Sequence, residues 1–292
     1  MTDLPQDNHA PGTPGEHHRR KNAMKQRILR STALLPALFT VSNGLLGFAS
    51  IHYTTKGGLG ETDASNLVIA AWMLVGAMIC DMLDGRLARM TRRTSDFGAQ
   101  LDSLCDVISF GVAPAIMMQR LVVLTMRGMR DEVAFIPAER IALMIAGAYV
   151  ACAALRLARF NVENEPDESA HLWFRGMPSP AAAANIIGLV LLVGRALERQ
   201  WLPDGWIFLI ASIVVPLVTL AVAFLMVSRI KYPHLVNQYI RGKKPFSYLV
   251  KLVIVVLAVL IEPIVTAAIA AVGYTLLGLT KYVVQRTRRI QA

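Results

Sequence analysis

Charge is what this sequence has least of. Of its 292 residues only 17% are charged and 54% are hydrophobic, a balance too apolar for an ordinary soluble domain. Cysteine is also scarce: Cys80, Cys105 and Cys152 all fall within apolar segments and read as small core residues in a reducing compartment. No cysteine–histidine spacing fits a zinc site; His17 and His18 belong to a basic tail, and His52, His171 and His234 have no evident partner. The first apolar run begins near Leu34, too late for the core of a secretory signal. The net charge of +10 invites a nucleic-acid reading. Lys and Arg, however, cluster in short segments between apolar spans, without any nucleic-acid motif, so the anionic face of a membrane is the expected partner and nucleic acid is excluded.

What the chain does have is apolar windows of about 20 residues, long enough to cross a bilayer. They lie near 33–54, 66–90, 97–122, 136–160, 178–199, 205–228, 246–262 and 264–281. The fold class is therefore all-α: a polytopic membrane helical bundle of six core transmembrane helices with two more at the C-terminus. Glu262-Pro263 separates the last two, which also fit a single kinked or re-entrant hairpin. Three regions are expected. Residues 1–30 form a basic cytosolic tail, disordered because 1–22 offer almost nothing apolar to bury. Residues 31–235 form the core, and 236–292 a C-terminal hairpin with a basic tail.

Orientation follows from the basic residues. Eight spans put the tail (Arg19, Arg20, Lys21, Lys25, Arg27, Arg30) on one side with Arg86 to Arg93, Arg156, Arg159, Arg175, Arg229 to Lys244 and Lys281 to Arg289. The opposite loops carry fewer, mainly Lys56, Arg120, Arg127, Arg130, Arg195 and Arg199. By the positive-inside rule the first side, with both termini, is cytosolic. The expected location is a bacterial inner membrane.

Against this apolar background, four acids stand out. Asp81 and Asp84 lie towards the end of the second window, Asp102 and Asp106 within the third. Carboxylates at membrane depth cost roughly 2.5–3.5 kcal/mol each and need a partner or a role. On a helix, Asp81, Asp84, Gly85 and Ala88 share a stripe, and Asp102 and Asp106 are stacked at i, i+4 with Gly98 one turn below. A turn near residue 93 brings Asp81 level with Asp106 and Asp84 with Asp102, so all four converge on one seam. Four such charges cannot all stay ionised unaided. One or two divalent cations resolve the repulsion, and all-carboxylate ligation suits Mg²⁺ or Mn²⁺.

Asp81, Asp84, Gly85, Ala88, Arg89, Gly98, Asp102 and Asp106 fit the pattern D-x2-D-G-x2-A-R-x8-G-x3-D-x3-D at every position. In this the chain resembles the CDP-alcohol phosphatidyltransferase family. Four further stretches resemble its phosphatidylserine synthase branch: Leu34-Leu-Pro-Ala-Leu-Phe-Thr-Val-Ser-Asn43, Leu155-Arg-Leu-Ala-Arg-Phe-Asn161, Phe174-Arg-Gly-Met-Pro-Ser-Pro-Ala-Ala-Ala183 and Met226-Val-Ser-Arg-Ile-Lys-Tyr-Pro233. The likeness covers roughly residues 33–235, with Met177 standing where Leu is expected.

The resemblance implies transfer of a phosphatidyl group from CDP-diacylglycerol to L-serine, giving phosphatidylserine and CMP, in a homodimer. It implies Asp81, Asp84 and Asp102 as chief ligands of two Mg²⁺ or Mn²⁺ ions, and Asp106 as general base and contact of the second ion. Gly85 and Ala88 keep the helix bare for the nucleotide. Gly98 belongs to the same nucleotide and pyrophosphate set, and Arg89 pairs with phosphate or with an aspartate. Thr40 and Asn43 read alone as interhelical glue; the resemblance places them in the nucleotide pocket. Arg156, Arg159 and Arg175 are candidates for the serine carboxylate, snorkelling being the bland alternative for the first two. Other acceptors (glycerol 3-phosphate, an inositol phosphate or choline) keep the chemistry, and the phosphorylated ones demand a denser basic pocket. A cation- or proton-coupled transporter would distribute polar groups through more helices than this chain does, and a silent scaffold would not need the full acid set.

Overall fold

The computed structural model describes residues 36–56, 62–91, 96–127, 132–163, 173–200, 202–228, 230–233 and 261–291. The N-terminal tail (1–30), the turn near residue 93 and nearly all of the window at 246–262 lie outside the described residues. In order, the elements are α1 (36–55), α2 (Thr62–Thr91), α3 (Asp96–Asp106), α4 (Ala113–Arg127), α5 (Glu132–Glu163), β1 (Trp173–Arg175), α6 (Ser179–Arg199), α7 (Asp204–Leu209), α8 (Val215–Val227), β2 (Lys231–Pro233) and α9 (Pro263–Gln291). Wide π turns join α3 to α4 (Val107–Val112) and α7 to α8 (Ile210–Val214).

Among the described residues, six helical segments are long and apolar enough to cross a membrane: Ala64–Leu87, Phe97–Met126, Pro137–Val162, Ser179–Leu197, Asp204–Val227 and Pro263–Thr280. They coincide with six of the eight windows read from the sequence. The window at 33–54 begins outside the described residues; its described part is the helix α1, which turns a polar face inwards. Thr40, Asn43, Ser50 and Thr54 are buried at helical spacing along one stripe, whereas Leu38, Leu45 and Phe48 are exposed on the other side. A helix of this length spans about 30 Å, and its polar stripe is covered by protein rather than lipid.

Two features of the second half add detail. Within the all-α architecture, β1 and β2 form a three-residue antiparallel pair, with Phe174 opposite Tyr232. The basic stretch after 281 continues α9, an unbroken helix of 29 residues.

Small residues let the rods approach closely. A Cβ added to Gly188 would lie 2.9 Å from Ala268 Cα, and one on Gly44 would lie 2.8 Å from Cys105 Sγ. The centre is filled by fully buried Tyr149, Phe110, Leu74, Met117, Met118 and Ile186. The turn into α6 requires glycine: Gly176 has φ +83°, and the place of its missing Cβ is taken by the Met226 carbonyl. Gly176 and Met177 donate to the Ile230 and Leu225 carbonyls, and Pro178 and Pro180 then launch the helix. Two stretches far apart in sequence, both singled out by the family resemblance, are thereby joined.

Candidate active site

The site forms where α1, α2 and α3 meet. Asp81 and Asp84 are carried by α2; Asp102 and Asp106 lie one turn apart on α3. The hairpin expected from the sequence brings Asp81, Asp102 and Asp106 together, with one carboxylate oxygen from each lying within 4.8 Å of the others. Asp84 is not in that trio. It is buried, interacts electrostatically with Asp102, and accepts a 2.9 Å hydrogen bond from Thr40 Oγ1 at its Oδ2. Asp81 therefore faces Asp106 as expected, while Asp84 turns towards α1 instead of pairing directly with Asp102.

The inverted face of α1 explains how these acids are held. Asn43, completely buried, donates from Nδ2 to Asp106 Oδ1 at 3.0 Å. Its main-chain carbonyl accepts from Ser109 Oγ at 2.9 Å. Gly44 and Gly47 make this approach possible, since a side chain at Gly47 would collide with Ser109. Ser109 itself lies in the π turn that begins directly after Asp106. A wide turn shifts the helical phase, so that Asp106 and Ser109 can both address α1. Thr40 and Asn43, read from the sequence as either glue or pocket, bond directly to two of the four acids.

Three carboxylates this close repel by at least about 3.5 kcal/mol per pair at an effective dielectric of 20. Among the described residues Arg156 on α5 interacts electrostatically with Asp106 and Asp81, and one cation cannot balance three charges. Asp102 Oδ1 is buried without a hydrogen-bond partner among the described residues, and so is Asn43 Oδ1. Orphaned buried oxygens beside a carboxylate trio are the donor set a hard divalent cation satisfies. The acidic cluster fits a metal ion.

Other predicted residues fall into place unevenly. Gly85 is followed by open space: a Cβ there would meet nothing within 4 Å. Gly98 lies on α3, half-buried, two residues into the helix. Ala88 and Arg89 lie in the last turns of α2 and Arg175 in β1; their side chains are outside the described set. Arg156 Nη1 donates to Ser179 Oγ at 2.7 Å, and its guanidinium lies 5.8 Å from the Phe160 ring centroid, cation–π range. Arg159 turns elsewhere, with Nη1 3.4 Å from the Val227 carbonyl on α8. The snorkelling alternative fails for Arg156, which points inward.

Sequence reasoning missed Ser179, Ser109 and Ser103. The last bonds Asn161 at 3.0 Å and ties α3 to the end of α5. Each is a hydroxyl within or beside an apolar segment, a signal too common to single out without the fold.

Comparison with known proteins agrees with this geometry. The profile of the CDP-alcohol phosphatidyltransferase family matches residues 33–217. The chain is similar to proteins named CDP-diacylglycerol–serine O-phosphatidyltransferase from Helicobacter pylori strain J99 (32% identical over 254 residues, 86% of this chain and 91% of that one) and Methanocaldococcus jannaschii (37% over 162 residues, 56% and 62%). A third so named, from Bacillus subtilis strain 168, is 29% identical over 200 residues, 68% of this chain and 90% of its own. With the profile covering more than half of its length and the motif acids gathered at one seam, this chain belongs to the CDP-alcohol phosphatidyltransferase family.

Proposed function

We propose that this membrane enzyme transfers the phosphatidyl group of CDP-diacylglycerol to the hydroxyl of L-serine, releasing CMP. The convergence of Asp81, Asp102 and Asp106 within 4.8 Å carries the chemistry; the shared name of the relatives carries the acceptor. The serine oxygen forms a bond to the phosphorus bearing the diacylglycerol, the phosphoanhydride bond to CMP breaks, and the serine proton leaves to a base. The displacement is direct, because no activated Ser, Cys or His nucleophile accompanies the motif.

Asp81, Asp84 and Asp102 are the proposed ligands of two Mg²⁺ or Mn²⁺ ions, with Asp106 touching the second. When bound, such ions supply charge neutralisation for the pyrophosphate. Asp106 is the proposed general base. Its Oδ1 is held by Asn43, which leaves Oδ2 for the hydroxyl proton. A carboxylate is a weak base for an alcohol, so this restraint matters: proton transfer needs hydrogen-bond reach in a fixed geometry. Thr40 fixes Asp84 in the same way. The open space at Gly85, with Ala88 and Gly98, admits the nucleotide, and Arg89 binds its phosphates or an aspartate.

Of the three arginines weighed for the serine carboxylate, Arg156 is favoured over Arg159 because it turns inward to bond Ser179, whereas Arg159 turns to the Val227 carbonyl; Arg175 is the further candidate. The acyl chains stay in the bilayer and enter laterally. The proposed setting is the inner membrane of a bacterium, as a homodimer. The site and both termini face the cytosol; 31–235 holds the chemistry and 236–292 forms a C-terminal unit.

The test is CMP release by purified protein in detergent with CDP-diacylglycerol and Mn²⁺, comparing serine, glycerol 3-phosphate and inositol phosphate. Serine-dependent release that disappears in Asp106→Asn is the expected result. Release with another alcohol overturns the acceptor but keeps the mechanism; none with any acceptor overturns both.

A further inference from the structure

Pro114 is the cause of the π turn that follows Asp106. It stands second in α4 and has no N–H, so the helical ladder lacks one donor there, and its ring crowds the carbonyl four residues earlier. That carbonyl belongs to Phe110. The chain relieves the crowding by widening over Val107–Val112, where the Ala113 N–H reaches back five residues to the Ile108 carbonyl. The Phe110 carbonyl thereby loses its α-helical donor at a fully buried residue, where an unmet acceptor is costly.

Helix α5 supplies the missing donor. Tyr149, itself fully buried, donates its hydroxyl to the Phe110 carbonyl at 2.8 Å. One turn further on the same face of α5, Ala153 lies against the next residue of the π turn: a Cβ added to Gly111 would be 3.4 Å from the Ala153 Cβ. From the other side the turn is held by Ser109, whose Oγ donates to the Asn43 carbonyl at 2.9 Å, and Asn43 in turn holds Asp106. The turn is thus clamped between α1 and α5 directly beyond the proposed base. Pro216 stands in the same place after the second π turn, Ile210–Val214. That turn carries no acid, and its one hydroxyl, Ser212 Oγ, is buried without a partner among the described residues. A proline is enough to make such a turn; the tyrosine clamp is added where an acid depends on it.

We propose that Tyr149 is a positioning residue for Asp106. By taking the carbonyl that Pro114 cannot serve, it locks the phase of the π turn, and with it the direction in which Asp106 meets the acceptor's hydroxyl. This rests on the reading of Asp106 as general base given above. Tyr149 acts through the main chain of the turn.

The experiment is a double-mutant cycle. It measures kcat, the KM values for serine and CDP-diacylglycerol, and Tm in wild type, Tyr149→Phe, Pro114→Ala and the double variant. Tyr149→Phe is expected to lower kcat about tenfold, the scale of one buried hydrogen bond lost, with both KM values unchanged. Pro114→Ala restores a main-chain N–H four residues after Phe110, so in that background Tyr149→Phe should change kcat by less than about twofold. An unchanged kcat in Tyr149→Phe overturns the inference. So does an equal loss in both backgrounds, which would place the effect of the hydroxyl outside the turn, and so does a loss shared by kcat, both KM values and Tm, which would make Tyr149 a core residue only. Should Tyr149→Phe alone fail to fold, the double variant is expected to fold, and its failure as well overturns the inference. If wild-type protein uses another alcohol, the acceptor reading alone falls, and the same cycle on that alcohol decides the role of Tyr149. No CMP release with any alcohol overturns both.

Discussion

At Asp102 the conflict between stability and function is sharpest. Its Oδ1 is buried without a partner among the described residues, and Asp81 and Asp106 lie within 4.8 Å. In protein stripped of divalent cations, Asp102→Asn removes a like-charge repulsion of about 3.5 kcal/mol per pair at an effective dielectric of 20, so Tm should rise by several degrees. In the presence of Mn²⁺ the same variant should lose CMP release by at least about a hundredfold, since the cation loses a charged ligand. A variant both less stable without cations and fully active with them would show that Asp102 is merely structural. The pairing of gain and loss is common where side chains are placed for chemistry rather than for packing.

Among the elements, α1 decides the most with the least apolar material. Two glycines within it and one in α2 have opposite purposes, which makes a matched test. Gly47 lies against Ser109, so Gly47→Val would push α1 off the α3–α4 rod, at about 1–3 kcal/mol for overpacking. It should also release Thr40 and Asn43 from Asp84 and Asp106, lowering both Tm and kcat. Gly85 borders open space, so Gly85→Ala should gain up to about 1 kcal/mol of helix stability while raising the KM for CDP-diacylglycerol. Thermal melts and steady-state kinetics of the two variants check both directions; a stabilised Gly85→Ala protein with unaltered lipid KM would exclude nucleotide approach along that face.

Among the described residues the bundle buries polar groups such as Asn43, Asp84 and Ser109 beside its apolar core, while many large apolar side chains, such as Leu45, Met144 and Phe224, face outwards. Such a bundle gains little from the hydrophobic effect between helices, and depends on close packing and on polar bonds across them. A cation bridging α2 and α3 would be one more such bond, closing the hairpin from its open end. Addition of Mn²⁺ to cation-free protein should therefore raise Tm, by about 2.7 kcal/mol of stabilisation at a hundred times Kd. The Asp81→Asn/Asp102→Asn double variant should show no such shift. An equal shift in both proteins would place the stabilising cation elsewhere.

Sequence alone was sufficient for the membrane bundle, six of its spans and the hairpin of acids, because these depend on short-range regularities: the length of apolar runs, helical period and fixed motif spacing. The same regularities left open which side of α1 meets protein, since a period locates a stripe without saying whether lipid or protein covers it. Only the tertiary structure decided that Thr40 and Asn43 grip Asp84 and Asp106, that Asp84 bonds to α1, and that Arg156 rather than Arg159 turns inward to Ser179. Those outcomes depend on contacts between residues 23 to 68 positions apart. Such contacts are set by how glycine notches and a π turn let the rods approach, which no local pattern records.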